Sequence, residues 1–347
     1  MRMALGGADW RVTDLYPSEW AWLPVTQADI DLDNISPAIP PWRTATVPGD
    51  VQSDLLEAGE MAEPWRDLNS RAWEWTSQRD WVYCKEFEVP KVSEGHRATL
   101  RFEGVDYSCH VFLNGSHLGD HSGTYVPFEL DASQALRRGA MNRLLVVVDH
   151  APVEPEQQAQ VGWTGKVRLW KPRFAYKWDW CTRLIPLGIW DDVYLEVWDR
   201  VRLARMGVIA AAEGSPETGW EGILQVKLRL DRAQTERLLV RLAVADPDGQ
   251  CVASSEAAVA PAEGSGLEAR FDLRVPSPRL WWPNGNGDQP LYRVTAEIMS
   301  TEGETLDAAE RRVGFRRVRA VRNEGAPADA LPYTLEVNGR RIFAKGW

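Results

Sequence analysis

Apolar and polar residues exchange places with a period of two along most of this chain. Short alternating runs lie at Trp81 to Val89, Ala98 to Val105, Cys109 to Leu113, Arg143 to Val148 and Val193 to Val197. That period puts neighbouring side chains on opposite faces of an extended backbone, so each run predicts a β-strand. A second set follows Asp199-Arg200: Val201 to Ala211, Gly222 to Leu230, Leu238 to Ala245, Gln250 to Val259, Leu267 to Val275, Tyr292 to Met299 and Arg311 to Arg319. Turn sequences such as Asp246-Pro247-Asp248-Gly249 separate them. Asn114-Gly115 and Asn338-Gly339 predict tight hairpins, because both residue types tolerate the positive φ that such turns require. One helix is expected, with Asp50 as its N-cap, Val51, Leu55 and Leu56 near one face, and Gly59 at its end. A long irregular stretch rich in tryptophan and charge runs from Met61 to Asp80.

These elements predict an all-β protein of two domains. Residues 1–199 suit a jelly-roll sandwich of strands and long loops. Residues 200–322 hold about seven short strands, the pattern of an immunoglobulin-like sandwich. Residues 323–347 form a Gly/Ala/Pro linker and a terminal hairpin whose Tyr333, Leu335, Val337, Ile342 and Phe343 lack an evident core. Exposed apolar strands invite edge pairing, so self-association through this hairpin is expected.

Composition narrows the classes of function. A net charge of −10 argues against nucleic acid or an anionic membrane as a partner. No apolar run approaches the roughly 20 residues of a membrane helix, and the N-terminus lacks a signal core, which predicts a cytoplasmic protein. Cys84, Cys109, Cys181 and Cys251 show no metal-ligand spacing and are expected to be reduced and mostly buried. His96, His110, His117, His121 and His150 show no triad or metal pattern. His117 and His121 are four apart, but in hairpin and Gly-rich sequence, and are expected to be surface or core residues. Asn284-Gly285-Asn286-Gly287 is a turn and not a phosphate loop, since no helix follows it. Tryptophan is abundant, at 18 residues. Most should lie in cores, with a few free to stack on the C–H face of a pyranose.

Several segments carry a family resemblance. Val47-Pro48-Gly49-Asp50-Val51-Gln52-Ser53-Asp54-Leu55-Leu56 resembles the entry helix of the sugar-binding, galactose-binding-like domain of glycoside hydrolase family 2. Trp282 to Tyr292, reading Trp-Pro-Asn-Gly-Asn-Gly-Asp-Gln-Pro-Leu-Tyr, resembles a signature of that family's immunoglobulin-like domain. Val313-Gly314-Phe315-Arg316 and Val337-Asn338-Gly339 resemble its run-in to a catalytic (β/α)₈ barrel. Tyr176 to Trp190, containing Trp178-Asp179-Trp180, is similar to the Gly-Trp-Asp-Trp segment of the β-mannosidase branch. Lys177 stands where that branch has Gly, and Thr182 where it has Pro.

The resemblance implies a retaining exo-glycosidase that hydrolyses terminal β-mannosides without metal or organic cofactor. It implies two catalytic glutamates on the barrel, which needs about 250 residues and is expected to begin where this chain stops. No catalytic residue is assigned within the chain. Asn323-Glu324, Ser18-Glu19, Ser93-Glu94 and Ser255-Glu256 are expected to be solvated loop carboxylates. The substrate-binding residues implied here are Asp179, which would accept hydrogen bonds from glycone hydroxyls, and Trp178 beside it. The partner implied is a β-mannoside or related carbohydrate. Two alternatives stay open: another exo-glycosidase of the family (β-glucuronidase, β-galactosidase or exo-β-glucosaminidase), or a stand-alone carbohydrate-binding module.

Overall fold

In the first part of the chain the strands are β1 (Arg2–Ala4), β2 (Gly7–Leu15), β3 (Arg43–Val47), β4 (Asp80–Glu88), β5 (Arg97–Phe102), β6 (Ser108–Leu113), β7 (Ser116–Ser122), β8 (Phe128–Asp131), β9 (Met141–Val148) and β10 (Val193–Trp198). They form two sheets, ordered β1-β10-β5-β8 and β3-β2-β4-β9-β6-β7, with antiparallel pairing throughout. The computed structural model describes residues 1–35, 39–91, 96–152, 169–176, 180–232, 237–259 and 267–345. Contacts divide the chain into two units, Met1–Trp198 and Asp199–Trp347.

The larger sheet of the first unit is covered on both faces, and its central strands show it in their sequences. In β9 the run Leu144-Leu145-Val146-Val147-Val148 is apolar without interruption. Leu144, Val146 and Val148 join the core between the sheets, while Leu145 and Val147 join a second cluster on the outer face. Trp81 and Tyr83 of β4 point inward, and Val82 and Cys84 outward. The outer cluster is capped by the β2–β3 connection through Trp20, Val25 and Leu32. A strand buried on both faces has no use for polar alternation. Buried indoles still need a partner for their N–H: Trp10 Nε1 donates to Leu5 O at 2.8 Å and Trp81 Nε1 to Thr76 O at 2.8 Å.

Helix α1 (Val51–Glu57) starts where the sequence places it. The Asp50 carboxylate accepts from Ser53 N at 2.9 Å, and Gly59 takes φ +71° beyond its end. The Met61–Asp80 stretch contains 3₁₀ turns over Asn69–Gln78, which bury Trp73. No helix among the described residues is long and apolar enough to cross a membrane.

The second unit holds β11 (Val201–Ser215), β12 (Gly219–Arg232), β13 (Leu238–Ala245), β14 (Cys251–Val259), β15 (Leu267–Pro276), β16 (Tyr292–Ser300) and β17 (Thr305–Val313). These form sheets β11-β12-β15 and β14-β13-β16-β17, an immunoglobulin-like pair. Here the alternation is clean. Leu224, Val226, Leu228 and Leu230 face inward, and Gln225, Lys227 and Arg229 face water. The expected strand Arg311 to Arg319 is broken in two: β18 (Val318–Val321) belongs to a separate sheet with β19 (Thr334–Val337) and β20 (Arg340–Ile342). Phe315 causes the break by turning fully into the core, edge-on to Tyr292 with centroids 4.8 Å apart. Gly222 makes room for it, since a Cβ there would lie 2.8 Å from the ring.

The β19–β20 hairpin is tied to this unit at its turn. Asn338 and Gly339 take φ +49° and +81°. Asn338 Nδ2 donates to Trp281 O at 3.0 Å, and its Oδ1 accepts from Arg317 N at 2.9 Å. Val337 and Asn338 are buried, whereas Tyr333 and Phe343 are 89% and 84% exposed.

Candidate functional site

The first unit concentrates its unusual polar contacts on residues 169–189. Helix α1 has orphan N–H groups at its start, as every helix does. The extended run Ile185–Ile189 supplies acceptors for that end of the molecule. Gly49 N donates to Ile189 O at 2.9 Å, Val51 N to Leu187 O at 2.9 Å, and the Gln52 side chain to Ile185 O at 2.7 Å. Acceptors two residues apart lie on one edge of an extended chain. The opposite edge pairs with Asp106: Asp106 N donates to Gly188 O at 2.9 Å, and Gly188 N to Asp106 O at 3.1 Å. Gly188 has φ +152°, and a Cβ there would lie 2.8 Å from Asp50 Cα and 2.9 Å from the Tyr83 hydroxyl.

A buried ion pair fastens the same run from its other side. Lys171 Nζ lies 2.6 Å from Asp106 Oδ1 and donates to Pro186 O at 2.7 Å. Thr124 Oγ1 donates to the same carboxylate at 2.8 Å. Lys171, Asp106 and Thr124 are each at most 4% exposed. Burial pulls the Lys171 pKa below the ordinary lysine value, and the Asp106 charge opposes that shift.

Further bonds hold the described residues on either side of 177–179. Leu184 N donates to Ala175 O at 3.2 Å, Arg183 Nη1 to Tyr176 O at 3.5 Å, and the Tyr176 hydroxyl to Pro152 O at 2.9 Å. Arg183 Nε also lies 4.0 Å from Glu74 Oε1. Asp179 and Trp178, the substrate-binding residues expected from sequence, lie outside the described residues, as does Lys177. The stems on either side carry large exposed rings: Trp170 at 82%, Phe174 at 57% and Trp180 at 77%. Nearby, Trp190 donates its N–H to Thr124 O at 2.8 Å and meets Tyr125 edge-on at 5.8 Å. Exposed indoles of this kind offer flat apolar faces to a ligand.

The carboxylates weighed as catalysts have ordinary settings. Glu19 accepts from Tyr16 N at 2.8 Å, Glu256 pairs with Arg241 at 3.0 Å, and Glu324 is exposed. Glu94 lies outside the described residues.

The histidines are exposed or half-buried, as expected of surface residues. His117 associates with His110, not with His121. His110 Nδ1 and His117 Nε2 both approach Asp120 Oδ1, at 2.6 and 2.7 Å, and His110 Nε2 lies 3.3 Å from Asp149 Oδ1. The sequence reading missed this group because it spans strands, and because a β-bulge hides the spacing.

Residues 23–191 match the description "Glycosyl hydrolase 2 galactose-binding domain-like", and residues 209–316 match "Glycosyl hydrolases family 2". The chain is 29% identical over 311 residues to Beta-mannosidase B of Thermothelomyces thermophilus, covering 86% of this chain and 35% of that protein. It is 24% identical over 325 residues to Beta-mannosidase of Mus musculus, covering 87% and 36%. Among solved structures, Beta-D-Mannosidase from Dictyoglomus thermophilum aligns with a TM-score of 0.78 at 25% identity, over 100% of this chain and 40% of that one. A family 2 beta-glucuronidase shares the fold at a TM-score of 0.69 and 19% identity, over 100% of this chain and 33% of that one. The chain therefore spans about a third of the length of the curated relatives it matches.

Proposed function

We propose that this chain, which belongs to glycoside hydrolase family 2, forms the non-catalytic N-terminal portion of a retaining exo-glycosidase acting on terminal β-mannosides. The observation that carries the reading is the agreement of two independent comparisons: β-mannosidases by name cover most of the chain in sequence and the whole of it in structure. The exposed rings of Trp170 and Phe174 are in keeping with a sugar-facing role.

In this reading the barrel supplies the two catalytic carboxyls, about 5 Å apart in a retaining enzyme. Asp179 reaches the glycone and accepts hydrogen bonds from its hydroxyls, and Trp178 helps to hold the loop. Neither moves a proton. The buried Lys171–Asp106 pair and the Ile185–Ile189 run hold the described residues that flank it in sequence.

The test uses the open reading frame that contains this chain, together with the 347 residues alone. The longer protein is expected to release aglycone from an aryl β-mannoside faster than from the β-glucuronide, β-galactoside or β-glucosaminide. The 347-residue chain is expected to release none. Asp179→Asn in the longer protein removes one charged hydrogen bond, worth about 1.5–3 kcal/mol, and kcat/KM should fall roughly 10- to 150-fold. The midpoints of the pH profile should stay in place. A preference for another glycoside would overturn the substrate assignment. Unchanged kcat/KM in Asp179→Ala would overturn the role of Asp179.

A further inference from the structure

We infer that His110, His117 and Asp120 form a binding site for a first-row divalent cation, zinc being the best fit, with Asp149 orienting His110 from behind. Their candidate ligand atoms lie within 4.8 Å of one another. Two imidazoles and one carboxylate match the donor preference of zinc; calcium and magnesium favour all-oxygen sets.

The hairpin brings these residues together by an irregularity. In a regular strand His117 and Asp120, three positions apart, would face opposite sides of the sheet. The register between β6 and β7 shifts: Val111 pairs with Gly119, but Phe112 pairs with His117. Leu118 is the unpaired extra residue. The bulge moves His117 onto the face of Asp120, and Asp120 pairs directly with His110. Gly119 takes φ +153°, and a Cβ there would come 2.8 Å from Leu130 Cδ2, so this backbone course favours glycine.

The rings are held in place. Trp20 lies over His110 with centroids 4.4 Å apart, and Phe112 lies 4.9 Å from His117. Asp149 on the far nitrogen of His110 completes a carboxylate–histidine arrangement, the usual way a ligating ring is fixed in tautomer and direction. A zinc ion bonds N and O donors at about 2.0–2.2 Å. Donors now linked by hydrogen bonds at 2.6 and 2.7 Å need to separate by about 0.6 Å to reach the edge of a tetrahedral site. Asp120 and His117 are exposed enough to make that adjustment. Water supplies the remaining coordination.

The test is calorimetric titration of the metal-stripped 347-residue chain with zinc, paired with NMR of the histidine ring nitrogens. One zinc per chain is expected. The shifts should assign coordination to Nδ1 of His110 and Nε2 of His117, a combination that adventitious surface binding would not select. Asp149→Ala should weaken binding about tenfold, and His117→Ala more. His121→Ala should leave binding unchanged, since His121 stacks on Phe128 and faces Gly123 O. Cobalt in place of zinc should give visible d–d absorption that His117→Ala abolishes. Absence of stoichiometric binding would overturn the assignment. So would zinc affinity unaltered in a folded His117→Ala, Asp120→Ala variant, or ring shifts at His121 instead of His110.

Discussion

Lys171 Nζ sits 2.6 Å from Asp106 Oδ1, with both side chains almost sealed from water. Neither charge has a solvent route to compensation, so each depends on the other and on Thr124 and Pro186 O. Removing one partner leaves a buried charge alone. Lys171→Met is expected to destabilise the first unit by about 3–5 kcal/mol. Urea unfolding should show the loss, and the double variant Lys171→Met, Asp106→Asn should recover part of it. A Lys171→Met chain as stable as the parent would mean that Asp106 finds other support.

A second expectation concerns pH. Asp54 is buried, and its Oδ1 accepts from Thr46 N at 2.9 Å. Its Oδ2 has no hydrogen-bond partner among the described residues. Burial raises its pKa to about 7, against the lowering pull of the Thr46 bond. The folded chain therefore holds a proton in a range where the unfolded chain has lost it. The stabilisation is fully present below about pH 4 and is lost as pH rises through about 7. Its size over that window is roughly 2–4 kcal/mol. Asp54→Asn keeps the shape without the titration, so its melting temperature should exceed that of the parent at pH 8. The fall between pH 5 and 8 should also be shallower. Identical pH profiles would sink the assignment.

Gly188→Ala tests the close approach of the Ile185–Ile189 run to the start of helix α1. Its Cβ would press on Asp50 Cα, Gly49 O and the Tyr83 hydroxyl, all within 2.9 Å. Overpacking of this kind costs about 1–3 kcal/mol, and the φ of +152° adds strain for any L side chain. Thermal melting should fall. Amide exchange at Val51 and Asp106, whose N–H groups bond to this run, should speed up selectively.

Asn338 provides the fourth test. Asn338→Gly keeps the backbone conformation but deletes the side-chain bonds to Trp281 and Arg317. Each bond is worth about 0.5–1.5 kcal/mol net. Exchange protection of the β19–β20 hairpin should drop by at least about fivefold, while the sandwich core keeps its protection. Loss of protection across the whole unit would show that the hairpin and the sandwich unfold together.

Much of the architecture was legible because its physics is local. Asp50 and Gly59 bracket the helix, and Asn114-Gly115 and Asn338-Gly339 take the positive φ values that their residue types allow. The strands of the second unit read directly, since one face is dry and the other wet. The first unit was harder. The β2–β3 connection caps the outer sheet with Trp20, Val25 and Leu32 in short turns that carry no periodicity. β7, reading Ser-His-Leu-Gly-Asp-His-Ser, has no apolar alternation and is defined by its pairing with β6. β17 and β18 read as part of one strand until Phe315 turned inward. At the candidate site, Lys171 and Asp106 are 65 positions apart in sequence, a difference of 171 and 106, and nothing local announces their partnership. The expectation that most tryptophans lie in cores does not hold among the described residues: Trp10, Trp73 and Trp81 are buried, Trp22, Trp65, Trp170, Trp180 and Trp190 are exposed, and the others are half-buried.

Leu118 has a consequence for how relatives of this chain are compared. It is the one residue of β7 without a cross-strand partner, and it sets which side of the sheet His117 occupies. A homologue missing a single codon here could retain both histidines and the aspartate, align as identical at each, and still present them to opposite surfaces. In this hairpin, matching letters do not establish matching positions. The distance between the letters carries the information, and an alignment that closes a one-residue gap for the sake of a better score would erase it.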